Sequence, residues 1–201
     1  MKYVVIGGAG AMGKITVRDL FEFRSPKDCI VIADYDFEKA QELAASYKSP
    51  QVIPLKIDVN QLSETAAALR GSSVVINSVQ YHLNLKVMEA CLAAGAHYID
   101  LGGLFHMTRK QLELDSRFKS AGKLAIIGMG AAPGITNILA RMGADRLDNV
   151  KEIHTMVAGT DQTKYRALPA LPVSYSLQTI LEEFSMKPAV FKKGEFTFAE
   201  P

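Results

Sequence analysis

Only two cysteines, Cys29 and Cys91, occur in the 201 residues, and both sit inside apolar segments with no CxxC. That scarcity excludes a disulfide framework. No Cys/His cluster has metal-ligand spacing, so the expected metal content is none. Both thiols read as reduced core residues of a cytoplasmic protein. An excess of one charge sign is also missing: 23 Lys and Arg stand against 21 Asp and Glu, a formal net charge of +2. Without a dense Lys/Arg cluster, that balance argues against nucleic acid or an anionic membrane as partner. No apolar run approaches the ~20 residues of a membrane span, and the first residues pattern as a strand rather than a signal peptide. Internal repeats and low-complexity tracts are absent. What remains is the ordinary composition of a globular protein, 48% hydrophobic and 22% charged, whose expected partner is a small molecule.

Apolar runs alternate with helical patterns through the first 128 residues. Strands are expected at Lys2–Ile6, Ile30–Ala33, Val52–Ile57, Ser73–Asn77, His97–Asp100 and Leu124–Ile127. Helices are expected at Met12–Phe23, around Ala40–Tyr47, at Gln61–Leu69, Asn84–Ala94 and Thr108–Ala121. The second helix places Ala40, Leu43, Ala44 and Tyr47 on one face, and the fourth turns Val87, Met88, Cys91 and Leu92 inward. Continuous apolar strands joined through helices imply α/β architecture, a doubly wound parallel sheet of order 3-2-1-4-5-6 covered on both faces. After Gly128 the pattern changes. A glycine-rich loop, "GMGAAPGITN", leads into a helix expected to bury Ile135, Ile138, Leu139 and Met142. A strand at Val150–Val157, an exposed Pro-punctuated connection at 160–172, a helix at Ser174–Phe184 and a hairpin with Gly194 near its turn follow. The expected organisation is a dinucleotide-binding domain at 1–128. Residues 129–201 form the beginning of a second α/β domain, whose remainder is expected beyond Pro201.

The first strand runs into Gly8-Ala9-Gly10-Ala11-Met12-Gly13, which fits GxGxxG, while Gly7, Gly10 and Gly13 also fit GxxGxxG. In either register one glycine permits the tight turn, one lets the backbone approach a pyrophosphate, and one lets helix and strand pack closely. The phosphate charge would meet the free N–H groups and the positive end of the helix dipole. The motif lies between a strand and a helix, as that mechanism requires. Asp34 closes the second strand 21 positions beyond Gly13, where a carboxylate can grip a ribose 2′-hydroxyl. Tyr35, rather than Arg or Lys, follows it, so NAD is expected in preference to NADP. Asp36 is expected to cap the next helix. Asp58, after the third strand, can reach the adenine edge or cap the helix that follows. Tyr35 and Lys39 make a YxxxK that lies beside the adenosine end and is read as coincidence.

The stretches "YVVIGGAGAMGKITVRDL", "VIADYDFEKAQELA", "VVINSVQYHLNLKVMEACLAAGAHYIDLGG" and "GMGAAPGITNILARMGADRLD" resemble the saccharopine dehydrogenase/saccharopine reductase family. The glycine turn is shared widely, whereas Tyr-Ile-Asp-Leu-Gly-Gly followed by Ala-Pro-Gly-Ile-Thr-Asn is far more specific. Within the family the likeness is greatest to members that oxidise the ε-amine of lysine with NAD. The resemblance implies a Rossmann domain followed by a substrate and dimerisation domain, a homodimer, and oxidation of an amino-acid C–N bond. A non-catalytic dinucleotide-binding regulator and a CH–OH dehydrogenase on the same scaffold remain alternatives.

Ligands in such sheets lie across the carboxyl ends of the strands, at the switch between the first and fourth. Asn77 and Ser78, past the fourth strand, are placed to bond the nicotinamide ribose or carboxamide. Amine oxidation releases a proton as well as a hydride, so an acid/base is required. Asp100 and Tyr81 are the leading candidates for catalysis or substrate contact, with His82 and His106 less favoured. Asp100 has the alternative role of fixing the loop after its strand. His97 and His154 are read as structural. The ligands of a substrate carboxylate are expected beyond Pro201.

Overall fold

The computed structural model describes residues 1–160, 162 and 176–200. The connection read at 160–172 and the first residues of the helix read at Ser174–Phe184 therefore lie almost wholly outside the described residues. The chain divides into two compact units, Met1–Ile153 and His154–Pro201.

In the first unit the order is β1 (Lys2–Ile6), α1 (Ala11–Phe23), β2 (Cys29–Asp34), α2 (Phe37–Ser46), β3 (Val52–Lys56) and α3 (Leu62–Leu69). It continues with β4 (Val74–Asn77), a 3₁₀ turn at Tyr81–Leu83, α4 (Asn84–Ala94), β5 (His97–Asp100), α5 (Phe105–Leu112), α6 (Asp115–Ser120) and β6 (Ala125–Ile126). The six strands are parallel, in the order β3-β2-β1-β4-β5-β6. The doubly wound sheet read from the alternation is thus the sheet that forms.

Strand period explains why the centre of β1 is apolar without a break. Val4 and Ile6 of β1 pack with Val31, Val75, Leu69, Val87 and Cys91 on one face. Val5, between them, packs with Ile30, Ile32, Val17, Ala40 and Ala44 on the other. Both faces are covered, so neither position can be polar, and each fully buried aliphatic side chain contributes about 1.5–3 kcal/mol. Cys91 is fully buried, and burial pushes its thiol up to about 12, so it stays protonated and inert.

Three expectations differ from the structure. The helix read as Thr108–Ala121 is two helices, α5 and α6, broken at Glu113–Leu114. The carbonyl of Leu114 restarts the ladder by accepting from Arg117 and Phe118, both at 3.0 Å. The break lets Gln111 end α5 inside a polar cluster while Phe118 enters the apolar core. The helix after the glycine-rich loop forms as α7 (Ile135–Ala144), but Ile135, Ile138, Leu139 and Met142 are between 46% and 60% exposed instead of buried. Amphipathic spacing marks a face without supplying its partner. The stretch Val150–Val157 is irregular, because alternation alone provides no neighbouring strand to bond. The first unit also extends past Gly128, since Gly128 and Met129 donate back to Asp100 and hold the loop against the sheet.

The second unit contains α8 (Leu177–Ser185), capped by Ser176, and an antiparallel hairpin of β7 (Ala189–Lys192) and β8 (Glu195–Phe198). Its turn is Lys193–Gly194, where the alternation placed it. Phe191 and Phe196 face each other across the strands, with ring centroids 5.0 Å apart.

Candidate functional site

The glycine turn folds tightly between β1 and α1. Gly7 has φ +72°, and a Cβ there would lie 3.0 Å from Val79 Cγ1. A Cβ on Gly8 would lie 2.8 Å from the Val5 carbonyl, and one on Gly13 only 2.1 Å from the Gly7 carbonyl. These three glycines are required by the chain's own packing, so the two motif registers are not true alternatives. Gly10 differs: its Cβ would meet only the Gly7 carbonyl, at 3.2 Å. Gly10, Ala11 and Met12 are exposed, and α1 begins without a capping side chain or an acidic residue in its first turn. The turn therefore presents unpaired backbone donors and a space that a side chain would fill, an arrangement suited to a phosphate.

Asp34 stands beside this turn. Its Oδ2 accepts from Ala9 N at 2.9 Å and its Oδ1 from Asp36 N at 3.0 Å. The carboxylate is thus held at the rim of a cleft of about 180 Å³ that Tyr35, Ile57, Asp58, Val79 and Leu83 also line. Asp58 accepts from the main chain and side chain of Asn60, both at 3.0 Å. Its carboxylate makes a local turn and leaves α3 without a side-chain cap. Asp36 caps α2 through Lys39 N and also binds the Lys39 ammonium at 2.6 Å. That hydrogen bond lowers the Asp36 pKa and raises that of Lys39. Lys39 is therefore engaged by Asp36, and Tyr35 is 72% exposed. Among the residues lining the cleft there are two carboxylates and no cation.

At the other end of the switch point, Ser78 N donates to the Ile6 carbonyl at 2.8 Å. Its Oγ is one of three buried side-chain polar atoms without a protein partner among the described residues, with Arg24 Nε and Ser72 Oγ. Of these only Ser78 adjoins the glycine turn, since a Gly7 Cβ would lie 3.1 Å from its carbonyl oxygen. A buried hydroxyl without a partner is costly and points to a group from outside the chain. The turn, the cleft and this hydroxyl together fit a dinucleotide.

Asn77, expected to reach that ligand, lies 1% exposed in a polar cluster. Its Nδ2 donates to Asn84 Oδ1 at 2.9 Å and to Tyr98 Oη at 3.2 Å. Asp100, 1% exposed, is the sink of this cluster. Its Oδ1 accepts from Gly102 N and Gly128 N, both at 2.8 Å. Its Oδ2 accepts from Gln111 Nε2 at 2.6 Å, Tyr98 Oη at 2.8 Å and Asn84 Nδ2 at 3.3 Å. Burial, with the adjacent Asp100 charge, pushes the Tyr98 hydroxyl well above its usual range, so it remains a donor. Five donors converge on one carboxylate. Asp100→Asn, which turns an –NH₂ toward some of them, is expected to cost about 1–3 kcal/mol, read as a lower midpoint in urea unfolding.

Tyr81 occupies the 3₁₀ turn above this cluster and is half-buried. Its ring meets His106 edge-on at 5.9 Å and His82 at 6.1 Å. A Cβ on Gly103 would lie 2.7 Å from Tyr81 Cβ, so the second glycine of Leu-Gly-Gly is the space Tyr81 occupies. His97 Nδ1 accepts from Leu124 N at 2.9 Å, at the opposite end of β5. In the sequence Tyr98 is only the first residue of Tyr-Ile-Asp-Leu-Gly-Gly, Gln111 belongs to no motif, and Asn84 reads as a residue past the fourth strand that starts a helix. The i, i+2 spacing of Tyr98 and Asp100 did carry the signal, because it puts both on one face of β5. A larger groove of about 580 Å³ lies along α4 and α6, where Glu89 and Arg117 already satisfy each other. It offers no comparable set of open donors. Among the described residues no group of His, Cys, Asp and Glu could hold a metal, and no helix is long and apolar enough to cross a membrane.

A six-stranded doubly wound sheet with a phosphate-shaped glycine turn at its switch point defines a dinucleotide-binding domain of the Rossmann class. Residues 3–126 match the family model described as the saccharopine dehydrogenase NADP binding domain. The chain belongs to the saccharopine dehydrogenase family. It is 30% identical over 146 residues to carboxyaminopropylagmatine dehydrogenase of Synechocystis sp., covering 69% of this chain and 36% of that protein. Saccharopine dehydrogenase (L-Glu forming) of Saccharomyces cerevisiae superposes with a TM-score of 0.63 at 20% identity, over 72% of this chain and 31% of that one. Triphenylmethane reductase of Citrobacter sp. gives 0.50 at 18% identity, over 63% and 48%. These two likenesses are of fold. The chain spans about a third of the length of its curated relative and of the yeast enzyme.

Proposed function

We propose that this chain supplies the nucleotide-binding part of an NAD-dependent oxidoreductase acting on the C–N bond of an amino acid. The observation that carries the cofactor choice is the cleft beside the glycine turn. Asp34 and Asp58 line it without a cation, which suits a ribose 2′-hydroxyl and opposes a 2′-phosphate. The family model is described by NADP, so the residues of this chain argue for the other dinucleotide, and direct titration decides between them. The substrate class rests on the relatives, whose names are those of saccharopine and carboxyaminopropylagmatine dehydrogenases. The lysine 6-dehydrogenase reaction, removal of the ε-amine of lysine, is the specific form that the sequence likeness favours. A homodimer in the cytoplasm is the expected setting.

When bound, the dinucleotide would accept the hydride. Ala11 and Met12 would hold its pyrophosphate through their N–H groups, with Gly10, whose own N–H donates to the Gly7 carbonyl at 3.0 Å, leaving the room for it. Asp34 would hold its adenosine ribose, and Ser78 Oγ its nicotinamide half. Asp100 has both oxygens occupied by protein donors, so its role in this reading is to position rather than to exchange a proton. Tyr81, with His106 and His82 against its ring, is the side chain offered to substrate. Tyr81→Phe is then expected to raise KM about three- to tenfold, the effect of one neutral hydrogen bond, with NADH affinity unchanged. NADH formation by the full-length protein with lysine, saccharopine and carboxyaminopropylagmatine as donors tests the whole reading. Tight dinucleotide binding without turnover on any amine would favour a regulator, and turnover on an alcohol alone a CH–OH dehydrogenase.

A further inference from the structure

We infer that Gln111, Tyr98 and Asn84 form a buried clamp that positions the nicotinamide end of the site through Asp100; this rests on the dinucleotide reading above. The cluster has a direction. Asn77 donates to Asn84 Oδ1, which leaves the Asn84 amide –NH₂ to face Asp100, the Gly102 carbonyl and Gln111 Oε1. Gln111, accepting on Oε1, turns its own –NH₂ to Asp100 and to Met88 Sδ. Tyr98 accepts from Asn77 and donates to Asp100. Each orientation is dictated by its neighbour, and the donors from β5, α4 and α5 end on Oδ2 of Asp100.

The other oxygen does the positioning. Asp100 Oδ1 receives one N–H from the loop after β5 and one from the loop after β6, both at 2.8 Å. Those loops also touch: a Cβ on Gly102 would lie 2.7 Å from Pro133 Cγ, and one on Gly130 2.4 Å from the Leu101 carbonyl. Both leave the carboxyl ends of strands on the nicotinamide side of the switch point. A carboxylate tethered at one oxygen only would pivot. Three side-chain donors on the second oxygen fix its plane, and with it the spacing of the two loops. Gln111 lies 11 residues beyond Asp100, and the break between α5 and α6 leaves it buried at the end of α5.

The test compares Gln111→Met, which keeps the volume and removes the amide, with the unaltered chain. Two readouts are used: amide hydrogen exchange by NMR, and affinities for ADP-ribose and for NADH. ADP-ribose reports the turn and Asp34, and NADH adds the nicotinamide end. Loss of one hydrogen bond to a charged group corresponds to roughly tenfold. Exchange at Gly102 and Gly128 is expected to accelerate about tenfold while Val4 and Val5 in β1 stay unchanged. NADH affinity is expected to fall about tenfold with ADP-ribose affinity kept. Unchanged exchange at the two glycines, or equal loss for both ligands, overturns the clamp. Tyr98→Phe removes one hydroxyl and carries the same test if Gln111→Met does not fold. Failure of the unaltered chain to bind either ligand would overturn the dinucleotide reading, and the exchange data would still decide whether the clamp exists.

Discussion

Gly10→Val is expected to abolish dinucleotide binding in a protein that remains folded. The fold and the ligand make different demands on the glycines of the turn. At Gly10 an added Cβ finds only one oxygen, at 3.2 Å, and the residue is exposed at the start of α1. The branched side chain would instead fill the space in front of the first-turn N–H groups. Losing two charge-assisted hydrogen bonds costs about 3–6 kcal/mol, a hundredfold or more in affinity. Gly13→Ala is the contrasting substitution. Its methyl group would lie 2.1 Å from the Gly7 carbonyl and 2.6 Å from Gly8 Cα, so strand, turn and helix must separate. Gly13→Ala is expected to lower the thermal midpoint strongly, and Gly10→Val to leave it nearly unchanged. Calorimetry with NADH and a melting curve for each variant check both halves. Retained NADH affinity in folded Gly10→Val would remove the phosphate role from the turn.

Asp34→Ala is expected to weaken NAD about ten- to hundredfold, the range for a hydrogen bond to a charged group, while NADP affinity changes little or improves. The informative quantity is the ratio of the two. Asp34 also accepts from Ala9 N and Asp36 N, so its removal loosens the turn, and that loosening weakens both dinucleotides alike. Only the 2′ position distinguishes them. There a carboxylate accepts from a hydroxyl and repels a phosphate, with Asp58 adding a second negative charge in the same cleft. Tighter binding of NADPH than NADH by the unaltered chain would refute the NAD assignment.

The exposed face of α7 separates an apolar pattern from a packed surface. Ile135, Ile138, Leu139 and Met142 recur at i, i+3, i+4 and i+7, the spacing of a helix that packs. All four are more than 45% exposed. The spacing records a requirement for burial, whereas burial itself depends on a partner surface.

Local rules were enough for the sheet. Alternation of apolar strands and helices, with glycine where β1 turns into α1, determined six parallel strands and their order, because crossover connections leave few arrangements with both faces covered. Asn84–Ala94 and His97–Asp100 fall at the boundaries read from the sequence, since a helical stripe and a short apolar run each report their own neighbours in the chain. Asp36 as a helix cap was legible for the same reason, its partner Lys39 being three residues away. What the tertiary structure alone decided was the use of polar residues whose partners are distant in sequence. Asn77 and Asp100 both follow from strand ends, but that they sit side by side in register and share Tyr98 and Asn84 depends on the pairing of β4 with β5. Gln111 looked like one more residue of a long helix. It enters the cluster because the chain breaks at Leu114 and because a buried carboxylate must collect donors from wherever the fold brings them. Gly10 was visible as a glycine. That the fold itself demands it less than Gly7, Gly8 or Gly13 became visible only from the atoms around it.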